Sequence, residues 1–276
     1  IINGTCNYIL TQMEAEGRHF EDILADAQRM GYAAAEPSLD VDGFDAQLKA
    51  GILASLAPGF WIKPSQIFVE GIRHITTLDI EFARRMGYCI KLLGIVKKLG
   101  GKVQIAVHPA LVPEKHVLAN VSGIYNAILV RGDIVGDTLH YGQGAGADAT
   151  ASAVLSDLAD AALDLKNGSM GRVPPFVPHE EEGSVLPMDK AVSPFYLRLS
   201  VIDRPGTLAK IATILGEAKI GICSVMQPEG HVGESVPLIM MLHDAPDAAM
   251  QKALKRIARL SAVKAKPTMI RDENFD

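Results

Sequence analysis

The chain has 276 residues, 48% of them hydrophobic and 21% charged, with a formal net charge of −5 at pH 7. This length and composition predict two folded domains of ordinary size and exclude a largely disordered chain. The acidic balance argues against nucleic-acid binding, and no apolar run reaches the ~18–20 residues of a membrane-spanning helix.

The first thirty residues predict two helices. Apolar residues recur at helical spacing over residues 6–16 and 20–30. Asn3 or Thr5 is a candidate cap for the first helix, because a short polar side chain there can accept a hydrogen bond from a free backbone N–H. Gly31 stands where a glycine commonly ends a helix.

An acidic loop follows and leads into a third helix, expected over residues 44–57. The loop and the helix start carry four carboxylates: Glu36, Asp40, Asp42 and Asp45. Asp45 and Lys49 lie four residues apart and therefore share a helix face. Such a pair fits an ordinary surface ion pair, or a lysine that moves a substrate proton beside a carboxylate that holds a substrate amine. The spacing alone does not choose between these readings.

The middle of the chain predicts strands joined both by hairpins and by helices. The expected elements are a strand at 66–71, a helix at 78–86, hairpins at 89–98 with 103–107 and at 127–130 with 134–141, and a helix at 150–165. This mixture predicts an α+β fold, with a mixed sheet that has helices on one face.

The glycine-rich stretch Tyr141–Gly146 lies between a predicted strand and a predicted helix. Glycines there would let backbone N–H groups approach an anion at the helix start, and they would equally fit a tight strand–helix turn. The stretch is not a GxGxxG dinucleotide fingerprint, because position 147 is alanine.

Other catalytic classes have little support. The eight histidines lack metal-ligand spacing to cysteine or glutamate, and no GxSxG nucleophile motif occurs. Cys6, Cys89 and Cys223 are far apart and odd in number, which favours free thiols in a reducing cytoplasm over a disulfide framework. We therefore expect neither a metal site nor a serine or cysteine hydrolase.

The composition shifts towards glycine, proline and acidic residues at 167–194, which predicts a linker between two domains. After it, the order of strand-like and helical segments over 195–276 is β-α-β-β-α-β, the ferredoxin-like arrangement.

The residues of the first domain closely resemble homoserine dehydrogenase. The segment from Ile2 to Leu10 is similar to that family's NGTTNYIL, and residues 31–49 are similar to its GYAEADP…DVxGxDxxxK signature. Similar motifs continue through Glu70–Ile72, Lys91–Leu92 and 141–154. The resemblance covers nearly all of residues 1–166, which we expect to be the catalytic, substrate and dimerisation domain.

This resemblance implies the reversible NAD- or NADP-dependent interconversion of L-aspartate 4-semialdehyde and L-homoserine, a step of threonine and methionine biosynthesis. It implies that Lys49 is the proton donor and acceptor at the alcohol oxygen, with Asp45 beside it. Asp45, Asp40 and Glu36 would contact the substrate. The residues expected near the cofactor are Gly31, Gly144, Ala145 and Gly146.

Two departures from the family pattern matter. The nucleotide-binding half that precedes NGTTNYIL in the family is absent, so we expect this 276-residue chain to be part of a longer polypeptide and inactive on its own. The family's glutamate after Gly-Tyr-Ala is Ala34 here, and its following aspartate is Glu36. Two readings stay open: Glu36, with its longer side chain, reaches back and replaces part of the lost contact, or the contact is not replaced.

The second domain, 195–276, resembles an ACT domain through Asp203-Arg204-Pro205-Gly206-Thr207-Leu208. The resemblance implies feedback regulation, with L-threonine as effector bound at Asp203, Pro205, Gly206 and Thr207, and a homodimer or homotetramer. A ferredoxin-like domain used only for dimer contacts is one alternative reading. Another is a chain that senses an amino acid and has no enzymatic activity.

Overall fold

The structure, a computed structural model, describes residues 1–57, 61–99, 101–169, 185–228, 233–273 and 275. The chain divides into two compact units. The first contains Ile1–Arg73, Leu92–His108 and Asn120–Val185, and the second contains His74–Lys91, Pro109–Ala119 and Leu186–Asp276. In the described part of the chain, no helix is both long and apolar enough to cross a membrane.

Four helices open the first unit: α1 (Gly4–Glu16), α2 (Phe20–Arg29), α3 (Ser38–Val41) and α4 (Phe44–Leu56). Asn3 caps α1, and its side chain accepts a hydrogen bond from the backbone N–H of Cys6 at 2.8 Å. After α2, Gly31 adopts a φ of 76°, which L-residues rarely adopt. The turn allows the N–H groups of Tyr32 and Ala33 to bond back to Ala27.

The first unit continues with a two-stranded antiparallel sheet and a long helix. Strands β4 (Tyr125–Gly132) and β5 (Gly136–Gln143) form a hairpin, and α6 (Ala147–Asn167) follows. The hairpin connects to the start of the chain, because Ala127 N–H donates to the carbonyl of Ile1 at 2.8 Å. None of the residues of α6 is buried.

Strands β2 (Tyr88–Leu99) and β3 (Lys102–Pro113) pair with each other, and each is divided between the two units. In the first unit the two-residue strand β1 (Phe68–Val69) runs parallel to β3. The two-residue strand β6 (Val185–Leu186) also pairs with β3. The parallel pairing of β1 with β3 agrees with the prediction of a sheet that is not purely antiparallel.

The second unit contains six elements in the order β-α-β-β-α-β: β7 (Val192–Ile202), α7 (Thr207–Glu217), β8 (Ile222–Met226), β9 (Ser235–Pro246), α8 (Asp247–Ile257) and β10 (Thr268–Asp272). The strands lie in the order β10-β7-β9-β8, and all three neighbouring pairs are antiparallel. Apolar residues from the strands, α7 and α8 form one buried core.

The second unit also includes α5 (Thr77–Arg85), which precedes β2 in the sequence. Asp79 of α5 is fully buried and accepts hydrogen bonds from Arg198 at 2.6 and 3.0 Å and from the Tyr196 hydroxyl at 3.0 Å. Its carboxylate also accepts from Thr76, through the backbone N–H at 2.9 Å and the hydroxyl at 2.7 Å. These bonds connect α5 to β7 while they cap α5.

The observed elements correct the sequence predictions at several boundaries. The expected strand at 66–71 contains only Phe68–Val69, because the 3-10 helix Pro64–Gln66 uses the residues before it. The last strand, which the sequence predicts over 263–270, is Thr268–Asp272, and Val263 forms only an isolated bridge with Val201. Helix α6 begins three residues before the expected start.

The two compact units do not have the same boundaries as the predicted domains, 1–166 and 195–276. The second unit gathers residues 186–276, and with them come residues 74–91 and 109–119 from the earlier part of the sequence. Much of the predicted linker at 167–194 lies outside the described residues. At its end, the structure has β6 and the start of β7.

Candidate active site

Two carboxylates and one lysine meet at the junction of α3 and α4 in the first unit. Asp45 and Lys49 lie on α4, and the lysine Nζ is 2.9 Å from Asp45 Oδ2. The Lys49 side chain is 50% exposed and the Asp45 side chain 22%. Asp40, on α3, joins the pair through a shared partner, the amide of Asn3. The structure thus places three of the predicted site residues together.

Asn3 connects the two carboxylates. Its Nδ2 donates to Asp40 Oδ1 at 2.7 Å and to Asp45 Oδ2 at 2.8 Å. Within the described residues, the second oxygen of each carboxylate accepts no hydrogen bond. Each aspartate is therefore held by one oxygen and has the other available as an acceptor.

Neighbouring groups of α1 and the residues before it support this arrangement. The Cys6 thiol is buried and donates to the backbone carbonyl of Asp40 at 3.2 Å. Burial, and then the nearby carboxylates of Asp40, Asp45 and Asp42, raise the pKa of the Cys6 thiol well above its usual value. Cys6 therefore stays protonated and remains a donor.

Arg73 and Gly71 form a clamp on residues 38–42, the segment that contains α3. Arg73 bonds the Asp42 carboxylate through Nε at 2.5 Å and Nη2 at 3.2 Å, and it also donates to the Ser38 hydroxyl at 2.9 Å. Gly71 packs so closely that an added Cβ would lie 2.2 Å from the carbonyl oxygen of Val41. Residues 38–42 are therefore held at a fixed position beside the 71–73 segment.

Glu36 is not part of the hydrogen-bonded cluster. It is exposed and accepts from the backbone N–H of Ser38 at 3.0 Å. Hydrogen bonds from Ser38 lower the pKa of the Glu36 carboxyl. Ala34 is also exposed, and its carbonyl accepts from the side chain of Gln28 at 3.0 Å. Glu36 in this position caps the start of α3.

The turn after α2 contacts the first turns of α1. The Thr5 hydroxyl donates to the carbonyl of Tyr32 at 2.6 Å, and the rings of Tyr8 and Tyr32 lie 5.1 Å apart. Gly31 itself is exposed, and nothing lies within 4 Å of the position a Cβ would take. Glycine is required at this position for its backbone angle.

The turn that contains Gly144, Ala145 and Gly146 is exposed and precedes α6, which has no side-chain cap. A Cβ on Gly144 would lie 1.8 Å from Nδ2 of Asn126, so the side chain of Asn126 requires glycine there. Gly146 has a φ of 117° and open space around it. The first N–H groups of α6 are therefore free to receive an anion.

The four predicted effector residues lie together in the second unit, in a cavity of about 360 Å³. Asp203, Pro205, Gly206 and Thr207 form part of its lining. Gly206 has a φ of 87° and precedes α7, which has no side-chain cap. The Thr207 hydroxyl is turned back to the carbonyl of Ile202 at 3.2 Å. The cavity thus offers a carboxylate and the start of a helix to a small ligand.

A family model described as homoserine dehydrogenase matches residues 1–159 of the chain, a range that includes the whole carboxylate–lysine cluster. The chain belongs to the homoserine dehydrogenase family.

The relatives extend the likeness beyond the family match. Homoserine dehydrogenases of Pseudomonas aeruginosa and Neisseria gonorrhoeae are each 40% identical to this chain over 100% of its length. A homoserine dehydrogenase structure from Thiobacillus denitrificans superposes with a TM-score of 0.91 at 41% identity, over 99% of this chain and 63% of that one. A Staphylococcus aureus homoserine dehydrogenase gives 0.72 at 34% identity, over 99% of this chain and 64% of that one.

This chain spans 64% of the length of the two curated homoserine dehydrogenases that it matches at 40% identity.

Sequence reasoning missed three supporting residues of this homoserine dehydrogenase family member. Asn3 was considered only as a helix cap, and the closeness of Arg73 and Gly71 to residues 38–42 was not foreseen. An asparagine before the first helical turn signals the cap. Nothing in the spacing signals that Asn3 contacts Asp40, which is 37 positions later, or Asp45, which is 42 positions later.

Proposed function

We propose that this chain carries the substrate-binding and proton-transfer part of a homoserine dehydrogenase, which interconverts L-homoserine and L-aspartate 4-semialdehyde with NAD or NADP. The observation that carries the proposal is the hydrogen-bonded cluster in the region that the family model matches. Asn3 donates to Asp40 and to Asp45, and Lys49 donates to Asp45. The threonine and methionine pathways, and a cytoplasmic location, belong to the same proposal.

The two aspartates suit the ammonium group of homoserine. An ammonium group has three donors and one positive charge, and the pair offers two carboxylates with a spare oxygen each. Asp45 also bonds Lys49, so the aspartate that binds the amine can hold the lysine side chain beside it.

Lys49 fits a proton donor and acceptor at the alcohol oxygen. Its Nζ is anchored by Asp45 at 2.9 Å and by the carbonyl of Ile2 at 3.4 Å, while half of the side chain stays accessible. A lysine held at one end by hydrogen bonds can present its remaining N–H to a substrate oxygen. In the direction of homoserine oxidation, Lys49 would first release a proton to solvent and then, as the neutral amine, accept the hydroxyl proton.

The residues expected near NAD or NADP fit a negatively charged group. The start of α6 has no side-chain cap, and Gly144, Ala145 and Gly146 leave its N–H groups open to an anion such as a phosphate. Gly31 would lie near the same cofactor. When bound, NAD or NADP would supply hydride exchange with the substrate carbon. We propose that most of its binding surface belongs to a part of the enzyme other than these 276 residues, which span 64% of the length of the curated relatives.

The alanine at position 34 means that the substrate site lacks one carboxylate of the family pattern. Because Ala34 replaces the family's glutamate, we propose that Glu36 supplies a carboxylate near the substrate when the substrate is bound. Glu36 would then have to exchange its bond with Ser38 for one with the ammonium group. If Glu36→Gln leaves the homoserine KM of the full-length enzyme unchanged, Glu36 has no such role.

Homoserine binding to the chain and turnover by the full-length enzyme test the central proposal. Lys49→Met should reduce turnover by several orders of magnitude, while calorimetry should still detect homoserine binding to the 276-residue chain. Lys98→Met, at an exposed lysine of β2, is the matched control and should leave both unchanged. Normal turnover by Lys49→Met would reject the role of Lys49.

We further propose that residues 195–276 form an ACT domain that binds L-threonine as a feedback effector. The cavity of about 360 Å³ supports this proposal, since it is large enough for an amino acid and is lined by Asp203, Pro205, Gly206 and Thr207. Threonine at millimolar concentration should raise the melting temperature of the chain, and Gly206→Ala should remove the shift. No shift with the unsubstituted chain would reject threonine as the effector.

Finally, we propose that the enzyme is a homodimer or homotetramer in which a second copy covers α6 and the β4–β5 hairpin. Five apolar side chains of α6 are more than half exposed: Val154, Leu155, Leu158, Leu163 and Leu165. A helix without a buried face gains little stability from packing, and large exposed apolar faces mark interfaces. Sedimentation should show that Leu155→Asp with Leu158→Asp yields monomers, whereas Val192→Asp, on β7, does not.

A further inference from the structure

Asn3 is placed to do more than cap a helix. It is 5% exposed, and its side chain makes three hydrogen bonds. Oδ1 accepts from the Cys6 N–H at 2.8 Å, which is the cap. Both N–H groups of Nδ2 are used on the two aspartates, at 2.7 and 2.8 Å.

The two residues before Asn3, Ile1 and Ile2, help to fix its position. The carbonyl of Ile1 accepts from Ala127 of β4 at 2.8 Å, and Ile1 and Ile2 are buried. The carbonyl of Ile2 accepts from Lys49 at 3.4 Å. Two consecutive residues before α1 therefore contact the lysine and both aspartates of the cluster.

Two carboxylates that share one nitrogen lie close enough to repel each other. Like charges at such separation favour protonation of one partner, unless donors stabilise both ionised forms. Each N–H of Asn3 is such a donor, and Lys49 supplies another to Asp45. Other groups near the pair do not donate to its carboxylates. The Cys6 thiol donates to the backbone carbonyl of Asp40, and the carboxylate of Asp42, a like charge, is paired with Arg73.

We propose that Asn3 is a positioning residue that holds Asp40 and Asp45 as a pair, each with its second oxygen turned towards the substrate ammonium. This inference rests on the proposed function of the cluster as the homoserine site. Asn3 acts through the aspartates and does not itself touch the substrate. A cap alone would not need an amide, because serine and aspartate cap helices equally well.

The serine variant separates the two roles of Asn3. Asn3→Ser keeps an oxygen that can cap α1, but it lacks the two N–H donors that hold the aspartates. We expect its melting temperature to stay within a few degrees of the unsubstituted chain. Its homoserine dissociation constant, measured by calorimetry on the full 276-residue chain, should rise roughly tenfold. Asn120→Ser, at an exposed asparagine, is the control and should change neither quantity.

A second readout does not depend on homoserine. Carboxyl chemical shifts in nuclear magnetic resonance, recorded on the free chain at neutral pH, should show that Asn3→Ser moves the resonances of both Asp40 and Asp45, because each loses an N–H donor. Asn3→Ala should move the same resonances and should also reduce stability, because it removes the cap as well.

The outcomes distinguish this inference from the proposed function. If the unsubstituted chain fails to bind homoserine but Asn3→Ser still moves the carboxyl resonances of Asp40 and Asp45, the positioning role stands and the substrate assignment fails. If homoserine binds and Asn3→Ser changes neither the affinity nor the carboxyl resonances, Asn3 is only a helix cap and the inference is wrong.

Discussion

The carboxylate of Asp79 in the second unit and the pair Asp40 and Asp45 in the first unit are held in opposite ways. Asp79 is fully buried and accepts five hydrogen bonds, from Thr76, Tyr196 and Arg198. Asp40 and Asp45 are partly exposed, and within the described residues only one oxygen of each is bonded.

This difference separates a structural carboxylate from one that can bind a ligand. A buried charge is tolerated only when it is paired and its acceptors are filled, so Asp79 has nothing left to offer a ligand. Asp40 and Asp45 are held firmly enough to be in place, but each keeps an open acceptor. The two environments therefore differ in how many carboxylate oxygens are bonded, although each contains an aspartate beside a cation.

Removal of the Asp79 side chain should have the largest effect on stability. Asp79→Ala leaves Arg198, whose side chain is 17% exposed, without its carboxylate partner. The free energy of unfolding should fall by about 3–5 kcal/mol, as when one partner of a buried ion pair is removed. Urea denaturation measures the change.

The control for Asp79 is on the same helix. Glu81→Ala breaks an exposed pair with Arg85 and should cost less than about 0.5 kcal/mol. A loss for Asp79→Ala as small as that of the control would show that the buried network contributes little.

Substitution of Asp45 should produce the reverse pattern, with a large effect on binding and a small one on stability. Asp45→Asn keeps the shape of the side chain but removes the charge that would hold the ammonium group. Homoserine binding should weaken by about 1.5–3 kcal/mol, while stability changes by less than about 1 kcal/mol. Calorimetry and urea denaturation measure the two quantities, with Asp22→Asn on α2 as the exposed control. A stability loss larger than the binding loss would place Asp45 with Asp79 as a structural carboxylate.

The support beneath the open site can be tested at Gly71. In Gly71→Ala the new methyl would lie 2.2 Å from the Val41 carbonyl oxygen and 2.4 Å from Asp42 Cα, so the backbone must shift. Overpacking of this kind costs about 1–3 kcal/mol. Because α3 carries Asp40, homoserine binding should weaken as well. Gly216→Ala in α7 should be neutral or stabilising, because among the described residues nothing lies within 4 Å of the new methyl apart from the chain neighbours and the helix's own backbone. Homoserine affinity that is unchanged in Gly71→Ala would show that the clamp does not position the site.

The sequence predicted the longer helices and the order of the second unit's elements, because these depend on local periodicity and turn residues, but it did not predict α3, which lies in the expected acidic loop. Periodic apolar residues and Gly31 at a helix end are signals within one turn of the chain. The sequence did not reveal that β10 runs parallel to β3, or that residues 74–91 belong to the same unit as residues 186–276. Such pairings join distant segments, and no local rule specifies them.

The candidate site shows the same limit. Asp45 and Lys49 could be placed on one face from their spacing, and the structure joins them at 2.9 Å. The link from Asp40 to the pair passes through Asn3, and the clamp at Asp42 comes from Arg73, 31 residues later. The family resemblance identifies the aspartates. The groups that orient them, Asn3 and Arg73, are distant in sequence, and only the three-dimensional structure shows their contacts.

Asp272 of β10 is intermediate between the two kinds of carboxylate, and it should give the smallest effect. It is partly buried, and burial, with Glu273 and Asp244 nearby, raises its pKa to about 6 although the Tyr88 hydroxyl bonds it. The folded protein then holds this proton more tightly than the unfolded chain, so the free energy of unfolding should fall as pH rises from about 4 to about 6. Since the group is partly solvated, the fall should be about 1 kcal/mol. Asp272→Asn should remove it, so the stability difference between the variant and the unsubstituted chain should change between pH 4 and pH 7. An equal difference at both pH values would show that Asp272 titrates as an exposed aspartate does.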